Sequence, residues 1–368
     1  TVQKSTFAQA LAPAKVDYEY LRKRYNPFLQ LALRFLGVMA HCYPYMEIWP
    51  TSFRSYNLML PNLMEFPGSL FGSPSIGLRG LGMYASSRAA NCMYCSAHCC
   101  AVGIRGGLDA TKLKRAMSPG DVHSPGERAL IRVANGMSTV PATLLPEDVR
   151  ELQKHFKPAE VDGLVLPIVM MGFLNKMMDA MGFNLEEGVV KAVEDVATAS
   201  GWSAGRHEVV TTGRERHPSK GRPWRLWLGM VPYMPAAVLA DSRWTKGVPS
   251  SASRATPWLL ERTGYRFPMI TAAKQGRIIR TLSTMVRDNL DPEVSEVGTG
   301  TKQLAGVIYT AGLFNDELVR GTRRMAEKAV PNVSVDLLDR LVELASETLD
   351  LNDPNVLDDV ERNLLALA

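Results

Sequence analysis

Apolar residues recur along this chain at intervals of three and four, the spacing of one helix face. Val149, Leu152 and Phe156 share such a face. Ahead of them, Leu145-Pro146-Glu147-Asp148 opens the helix with proline and acidic residues in its first turn. Leu337, Leu338, Leu341 and Leu344 repeat the pattern after Val335. Val356, Leu357, Val360, Leu364 and Leu365 repeat it behind the cap signal Asp353-Pro354. No series of alternating strands bounded by tight turns interrupts these segments. The pattern predicts an all-α fold.

Four stretches differ in character. Residues 1–60 form an aromatic-rich arm carrying Tyr18, Tyr20, Tyr25, Phe28, Phe35, Tyr43, Tyr45 and Trp49. One helix is expected from Tyr18 to Ala40, and the remainder, with Pro44 and Pro50, is expected to run extended against the body. Residues 61–200 form a first helical domain. Residues 201–264 read as an ordered Trp/Pro-rich basic connector, because a flexible linker would not carry Trp202, Trp224, Trp227 and Trp258. Residues 265–368 form a second helical domain.

Composition narrows the function classes. A chain of 368 residues, 46% hydrophobic and 21% charged, can bury a sizeable core, which excludes a disordered tail, a collagen-like fibre and a disulfide-knotted secreted peptide. The longest uncharged apolar stretch, Gly163 to Leu174, is about half the ~20 residues a bilayer needs, so no membrane span or membrane partner is expected. No signal peptide is visible at the start; the chain opens on Thr1 rather than Met, which is compatible with removal of an upstream segment. The net charge of +5 lies wholly between Arg206 and Lys246, where eight basic residues face three acidic ones. Basic residues gathered in a connector, rather than spread over a folded face, point to a solvated linker and away from a nucleic-acid partner.

Chemistry concentrates elsewhere. Four of the five cysteines fall between Cys92 and Cys100, and the fifth is Cys42. An extracellular disulfide framework disperses its cysteines; clustering on one short segment indicates redox or metal chemistry in a reducing, cytoplasmic setting. On a helix, Cys95, His98 and Cys99 stand about 60°, 120° and 20° from Cys92, all on one side, with Cys100 about 80° away on the other. Two thiols three residues apart can pair when the first occupies the helix entry, with Asn91 as the expected N-cap. A thiol in the first turn meets unpaired N–H groups and the positive end of the dipole, so its pKa is expected to fall; a nearby imidazole can stabilise the thiolate or shuttle its proton. A structural zinc site would need four converging ligands, and one straight helix spanning about 10 Å from Cys92 to Cys99 cannot supply them. The second pair available is His41-Cys42. A thioredoxin-type site is disfavoured because no βαβ pattern surrounds the motif.

The segment Ser87-Arg88-Ala89-Ala90-Asn91-Cys92-Met93-Tyr94-Cys95-Ser96-Ala97-His98 resembles the signature S-R-x-x-x-C-x-Y-C-x-x-H-H of the alkylhydroperoxidase D-like, or carboxymuconolactone decarboxylase-like, superfamily in its peroxidase-related branch. Gly126-Glu127-Arg128-Ala129-Leu130, Pro146-Glu147-Asp148-Val149 and the helix from Gly172 to Gly182, with Lys176 for an arginine, extend the resemblance over about residues 60–190. The resemblance implies an all-α fold, often oligomeric, so a homo-oligomer is expected. It implies catalysis by Cys95 as the attacking thiolate and Cys92 as the resolving thiol, with His98 and Cys99 beside them. The partners would be a small-molecule substrate and a thiol reductant; no cofactor and no metal are called for. Two positions depart from the pattern. Gly80 stands where the family places a relay glutamate, and Cys99 stands where it places a second histidine; Glu65 and Glu47 are the candidate substitutes.

Two alternatives stay open: non-redox chemistry on a cyclic or lactone-like metabolite in an apolar pocket, and a non-catalytic or metal-binding oligomer. The remaining candidates read as structural. Met170, Met171, Met177, Met178 and Met181 fill core or line an apolar pocket. His123, His207 and His217 are expected to be exposed, and Tyr94 to be a packing residue. Finally, Lys302–Leu318 can be laid over Arg79–Cys95, with Asn315 on Cys92, Leu318 on Cys95 and Asn355–Asp358 on Ser124–Glu127, which would make the second domain a degenerate repeat without thiols.

Overall fold

The computed structural model describes residues 6–70, 72–211, 228–295 and 298–347, and among these the regular structure is helical apart from one pair of two-residue strands. It divides into two units, Thr1–Arg243 and Trp244–Ala368.

In the first unit Asp17 caps helix α1, Tyr18–Leu36, by accepting the Tyr20 N–H at 2.6 Å, and Gly37 stops it in a left-handed turn with φ 89°. The segment beyond, expected to be extended, is instead helical, as Tyr43–Met46 and α2, Pro50–Leu63. The prolines stand at helix starts, where a missing N–H costs nothing. Tyr25, Phe28, Phe35 and Tyr43 of the arm are core, while Tyr20 is exposed: Tyr25 meets Phe53 edge-on at 4.9 Å, and Tyr43 lies 5.4 Å from Tyr56.

The central feature is a helical hairpin of α3, Ile76–Ala89, and α4, Met93–Arg105. Its helices touch through backbone. A Cβ on Gly80 would stand 2.5 Å from Gly103 Cα, and one on Gly106 would stand 2.5 Å from Gly77 N. Gly80 is therefore where the crossing needs a hydrogen, which explains why a glutamate cannot occupy that position here.

Helix α5, Pro125–Ser138, starts with the Ser124/Glu127 capping box, and α6, Pro146–His155, with Asp148 accepting the Leu145 N–H at 3.1 Å. Helix α7, Pro158–Met181, packs on α2, α3, α4 and α5. Among the described residues it is the one helix long and apolar enough to cross a membrane, and 56% of its apolar window is buried inside the fold. After the left-handed Gly182 come β1, Leu185–Glu186, helix α8, Glu187–Ala199, and β2, Val209–Val210, which pairs in parallel with β1. Two histidines expected at the surface are buried instead. His123 donates Nε2–H to the Lys112 carbonyl at 2.9 Å, and His207 donates Nδ1–H to the Phe183 carbonyl at 2.8 Å. His217 lies outside the described residues.

The second unit contains α9, Ala252–Thr263, α10, Gly276–Leu290, α11, Thr299–Ala311, α12, Asp316–Ala329, and α13, Val335–Glu347. Leu304, Val307, Ala326, Leu338 and Leu341 form a core between the last three. Laying Asn315 on Cys92 brings matching local geometry with it. Asn315 caps α12 by accepting the Leu318 N–H at 3.1 Å, and Cys92 caps α4 by accepting the Cys95 N–H at 3.4 Å. The residues before them, Phe314 and Asn91, are both left-handed, with φ 53° and 57°. The hydroxyls of Thr310 and Thr322 meet at 2.8 Å where Ser87 and Cys99 meet at 3.7 Å. At the position matching His98, Gly321 lies under the Tyr265 ring, whose Cζ would stand 2.5 Å from a Cβ there. Asp353-Pro354 and the segment Asn355–Asp358 lie outside the described residues.

Candidate active site

The N-cap of α4 is Cys92 itself, one residue later than expected; Asn91 supplies the left-handed turn that lets the chain reverse between α3 and α4. Cys92 Sγ accepts the Cys95 N–H, so both thiols sit in the first turn of one helix. All five cysteines are free and buried.

Cys95, His98 and Cys99 line a cavity of about 60 Å³, several times the ~10–15 Å³ that one water needs. These three share one side of α4, and Cys92 is not among the lining residues. Cys42 joins the cavity from the segment after α1. Met83, Met170, Met171 and Met178 make much of the remaining wall; among the described residues no lysine, arginine or carboxylate lines it. Cys100, on the other side of α4, lines a separate small cleft with Trp202. Among the described residues, no group of three or more His, Cys, Asp and Glu is placed to hold a metal ion.

The polar partner of this wall comes from β1. Glu186, fully buried, places Oε2 3.0 Å from His98 Nε2. At this distance the attraction is first of all Coulombic. Glu186 Oε1 accepts the Tyr94 hydroxyl at 2.9 Å and the His41 backbone N–H. His98 Nδ1 lies 2.9 Å from the Tyr94 carbonyl, which can only accept, so Nδ1 carries a proton. Tyr94, expected merely to pack, anchors both members of the pair and lies 4.5 Å from the His98 ring.

Burial by itself would strip the proton from His98, but the Glu186 carboxylate and the Tyr94 carbonyl reverse this and hold it above the ordinary 6.5. Burial would likewise raise Glu186, and His98 with His41 outweighs it, holding the carboxyl below 4.5. Both partners shift toward their charged forms, an imidazolium–carboxylate pair. The thiols behave in the opposite way. Burial pushes Cys95 well above 9.0, and its neighbour Cys92 adds to this; Cys99 is pushed up to about 12, again chiefly by burial. The expected depression of a first-turn thiol is thus overturned for Cys95, because desolvation in an apolar wall exceeds what the helix end supplies.

The two carboxylates considered as relay substitutes lie elsewhere. Glu65 accepts from Arg79 at 2.7 Å, and Glu47 accepts from the Tyr25 hydroxyl at 3.1 Å. Glu186 was the missed residue. Its only sequence signal is its place just after the glycine that ends α7; pairing with His98 is a tertiary contact that no local spacing announces.

No protein-family model matches the chain, and no curated protein matches it. Among solved structures, the debrominase Bmp8 in its apo form is similar over 50% of this chain and 96% of its own, with 22% identity and a TM-score of 0.45. A cysteine-to-alanine variant of that debrominase in complex with 2,3,4-tribromopyrrole is similar over 49% and 94%, with 23% identity and a TM-score of 0.43. Likeness of this depth assigns neither a family nor a reaction to the chain.

Proposed function

We propose that this chain is a dithiol oxidoreductase that reduces a small uncharged electrophile, in the first instance an organic hydroperoxide, at Cys95. The observation that carries the reading is Cys95 on the wall of an apolar cavity beside the His98–Glu186 pair, with the second thiol, Cys92, one helical turn away. The substrate's reach decides the roles: Cys95 and His98 share the cavity, and Cys92 can meet only what Cys95 has become.

In this mechanism the Cys95 thiol loses its proton as it attacks the terminal oxygen of the peroxide. The O–O bond breaks, Cys95 is oxidised to sulfenic acid, and the departing alkoxide is protonated to an alcohol. The His98 imidazolium, held by Glu186, donates to that oxygen and recovers the thiol's proton. The Cys92 sulfur then attacks Cys95, and the hydroxide expelled leaves as water with the Cys92 proton. The product is a Cys92–Cys95 disulfide, which an external thiol reductant returns to two thiols. A charged substrate fits the cavity poorly. The imidazolium that His98 presents is already matched by Glu186 behind it, so a bound carboxylate would be buried without a counter-charge of its own. In the non-redox alternative, a cyclic or lactone-like metabolite, the same argument weighs only against one that carries a carboxylate.

Mass spectrometry after limiting tert-butyl hydroperoxide tests the reading. A Cys92–Cys95 disulfide should form in the native chain and sulfenic acid should accumulate on Cys95 in Cys92→Ser. Thiols that stay free, or turnover that survives Cys95→Ser, would refute it.

For the second unit, we infer a thiol-free copy of the hairpin that contributes structure rather than chemistry. The matched caps, left-handed residues and hydroxyl pair support this, as does the Tyr265 ring occupying the space that His98 holds in the first unit.

A further inference from the structure

Glu186 reaches His98 from a strap that is separate from the thiol hairpin. The strap runs from β1 through α8 to β2 and is closed on itself by the pairing of Leu185 with Val209 and Glu186 with Val210. Glu186 stands at the N-terminal end of α8, a helix of 13 residues and so about 20 Å long. The other end of that helix is fastened to the hairpin by two side chains. Arg88, in the last turn of α3, donates Nη1 to the Ser200 hydroxyl at 3.0 Å and to the Tyr84 hydroxyl at 3.0 Å, and Nη2 to the Ser200 carbonyl at 3.1 Å. Trp202 Nε1 donates to the Ser96 hydroxyl at 2.8 Å and to the Met93 carbonyl at 3.2 Å.

These anchor points flank the thiols. Arg88 lies one turn before Cys92, and Met93 and Ser96 each follow a cysteine directly. We propose that Arg88 and Trp202 are positioning residues that lock the strap to the end of α3 and the first turn of α4, so that the Glu186 carboxylate stays on His98 while the thiols change state. The proposal rests on reading His98–Glu186 as the acid of the site. It assigns to the arginine of the Ser87-Arg88 motif a latch role rather than a place in the cavity, whose wall does not include it. The fixed fork of a guanidinium is needed, since three acceptors in two directions exceed what a lysine ammonium can hold in one pose.

The test uses the full chain and two readouts. One is the titration of the His98 ring followed by NMR; the other is the rate of Cys92–Cys95 disulfide formation with limiting tert-butyl hydroperoxide. The titratable groups facing the pair are Tyr18, His41, Cys42 and Tyr94, together with Cys95, Cys99 and Tyr56 across the cavity. None is altered by the variants. Trp202→Phe keeps the ring and removes the donor; Arg88→Met keeps the stem and removes the fork. Each is expected to move the His98 titration downward, as Glu186→Gln does, and to slow disulfide formation by about tenfold. Arg88→Lys should restore part of both effects. Neither variant should add to Glu186→Gln, because a strap without its carboxylate has nothing left to place. Loss of thermal stability with an unmoved His98 titration would overturn the proposal, and so would effects that add fully to Glu186→Gln. If the native chain forms no disulfide with peroxide, the reaction assigned above fails, while the His98 titration still decides the role of the latch.

Discussion

Replacing Glu186 by glutamine changes little in shape and removes one charge. The glutamine Oε1 can still accept from Tyr94 and from the His41 N–H, so those bonds survive. Its Nε2 then faces His98 Nε2 across the 3.0 Å now spanned by an ion pair, donor against donor if His98 keeps its proton. Stranding a buried charge costs about 3–5 kcal/mol, but His98 can escape by deprotonating. The loss is then limited to the proton affinity that Glu186 had supplied, where each tenfold change is about 1.4 kcal/mol. We expect a destabilisation of about 1–3 kcal/mol at pH 6, or roughly 2–10 °C in the unfolding of the first unit. The sign with pH is fixed by the directions of the shifts. The folded pKa of His98 is raised, so its contribution is complete below the ordinary 6.5 and disappears as pH rises through the folded value. The gap between native and variant protein should therefore narrow between pH 6 and pH 9. On the acid side, the lowered Glu186 carboxyl contributes above 4.5 and loses that contribution as pH falls through its folded value. Urea unfolding across this range, with the His98 resonance followed in parallel, is the assay. Equal gaps at pH 6 and pH 9, with an unmoved His98 titration, would refute the pair.

Three further outcomes are expected. Gly80→Ala puts a methyl 2.5 Å from the Gly103 backbone, and should cost about 2–3 kcal/mol; a neutral result by chemical denaturation would show that the crossing can open. Alkylation of Cys95 by iodoacetamide should be slow at pH 7 and still climbing past pH 9, since burial raises this thiol; a plateau near neutrality in the rate profile would contradict that. The double variant Asn315→Cys/Leu318→Cys should form an internal disulfide on mild oxidation, because its cap geometry matches that of Cys92 and Cys95; peptide mapping that finds both new thiols free would reject the matched frame.

Much of the fold was legible in the sequence because its signals are local. Pro146 with Asp148, and the apolar spacing behind them and after Val335, define a helix start and helix faces within a few residues, and these helices form as expected. The candidate face of Cys95, His98 and Cys99 was legible for the same reason: on one helix, angular position follows from residue number. Misreadings came where a residue's surroundings decide. Pro44 and Pro50 suggested extended chain, yet proline at a first turn favours a helix as readily. His123 and His207 looked exposed by their neighbours in sequence, and both are buried against carbonyls from other segments.

The sequence by itself determined that this chain is mainly helical and that Cys95, His98 and Cys99 share one face of one helix. Tertiary structure decided everything that depends on distance between segments. It placed Glu186 on His98, kept Gly80 bare at the helix crossing, and buried Cys95 in the wall of a methionine-lined cavity so that its proton is held rather than released. The division has one physical cause. Helix periodicity is set by neighbours three and four residues apart, whereas the charge and proton affinity of a site are set by whatever the fold brings within a few ångströms.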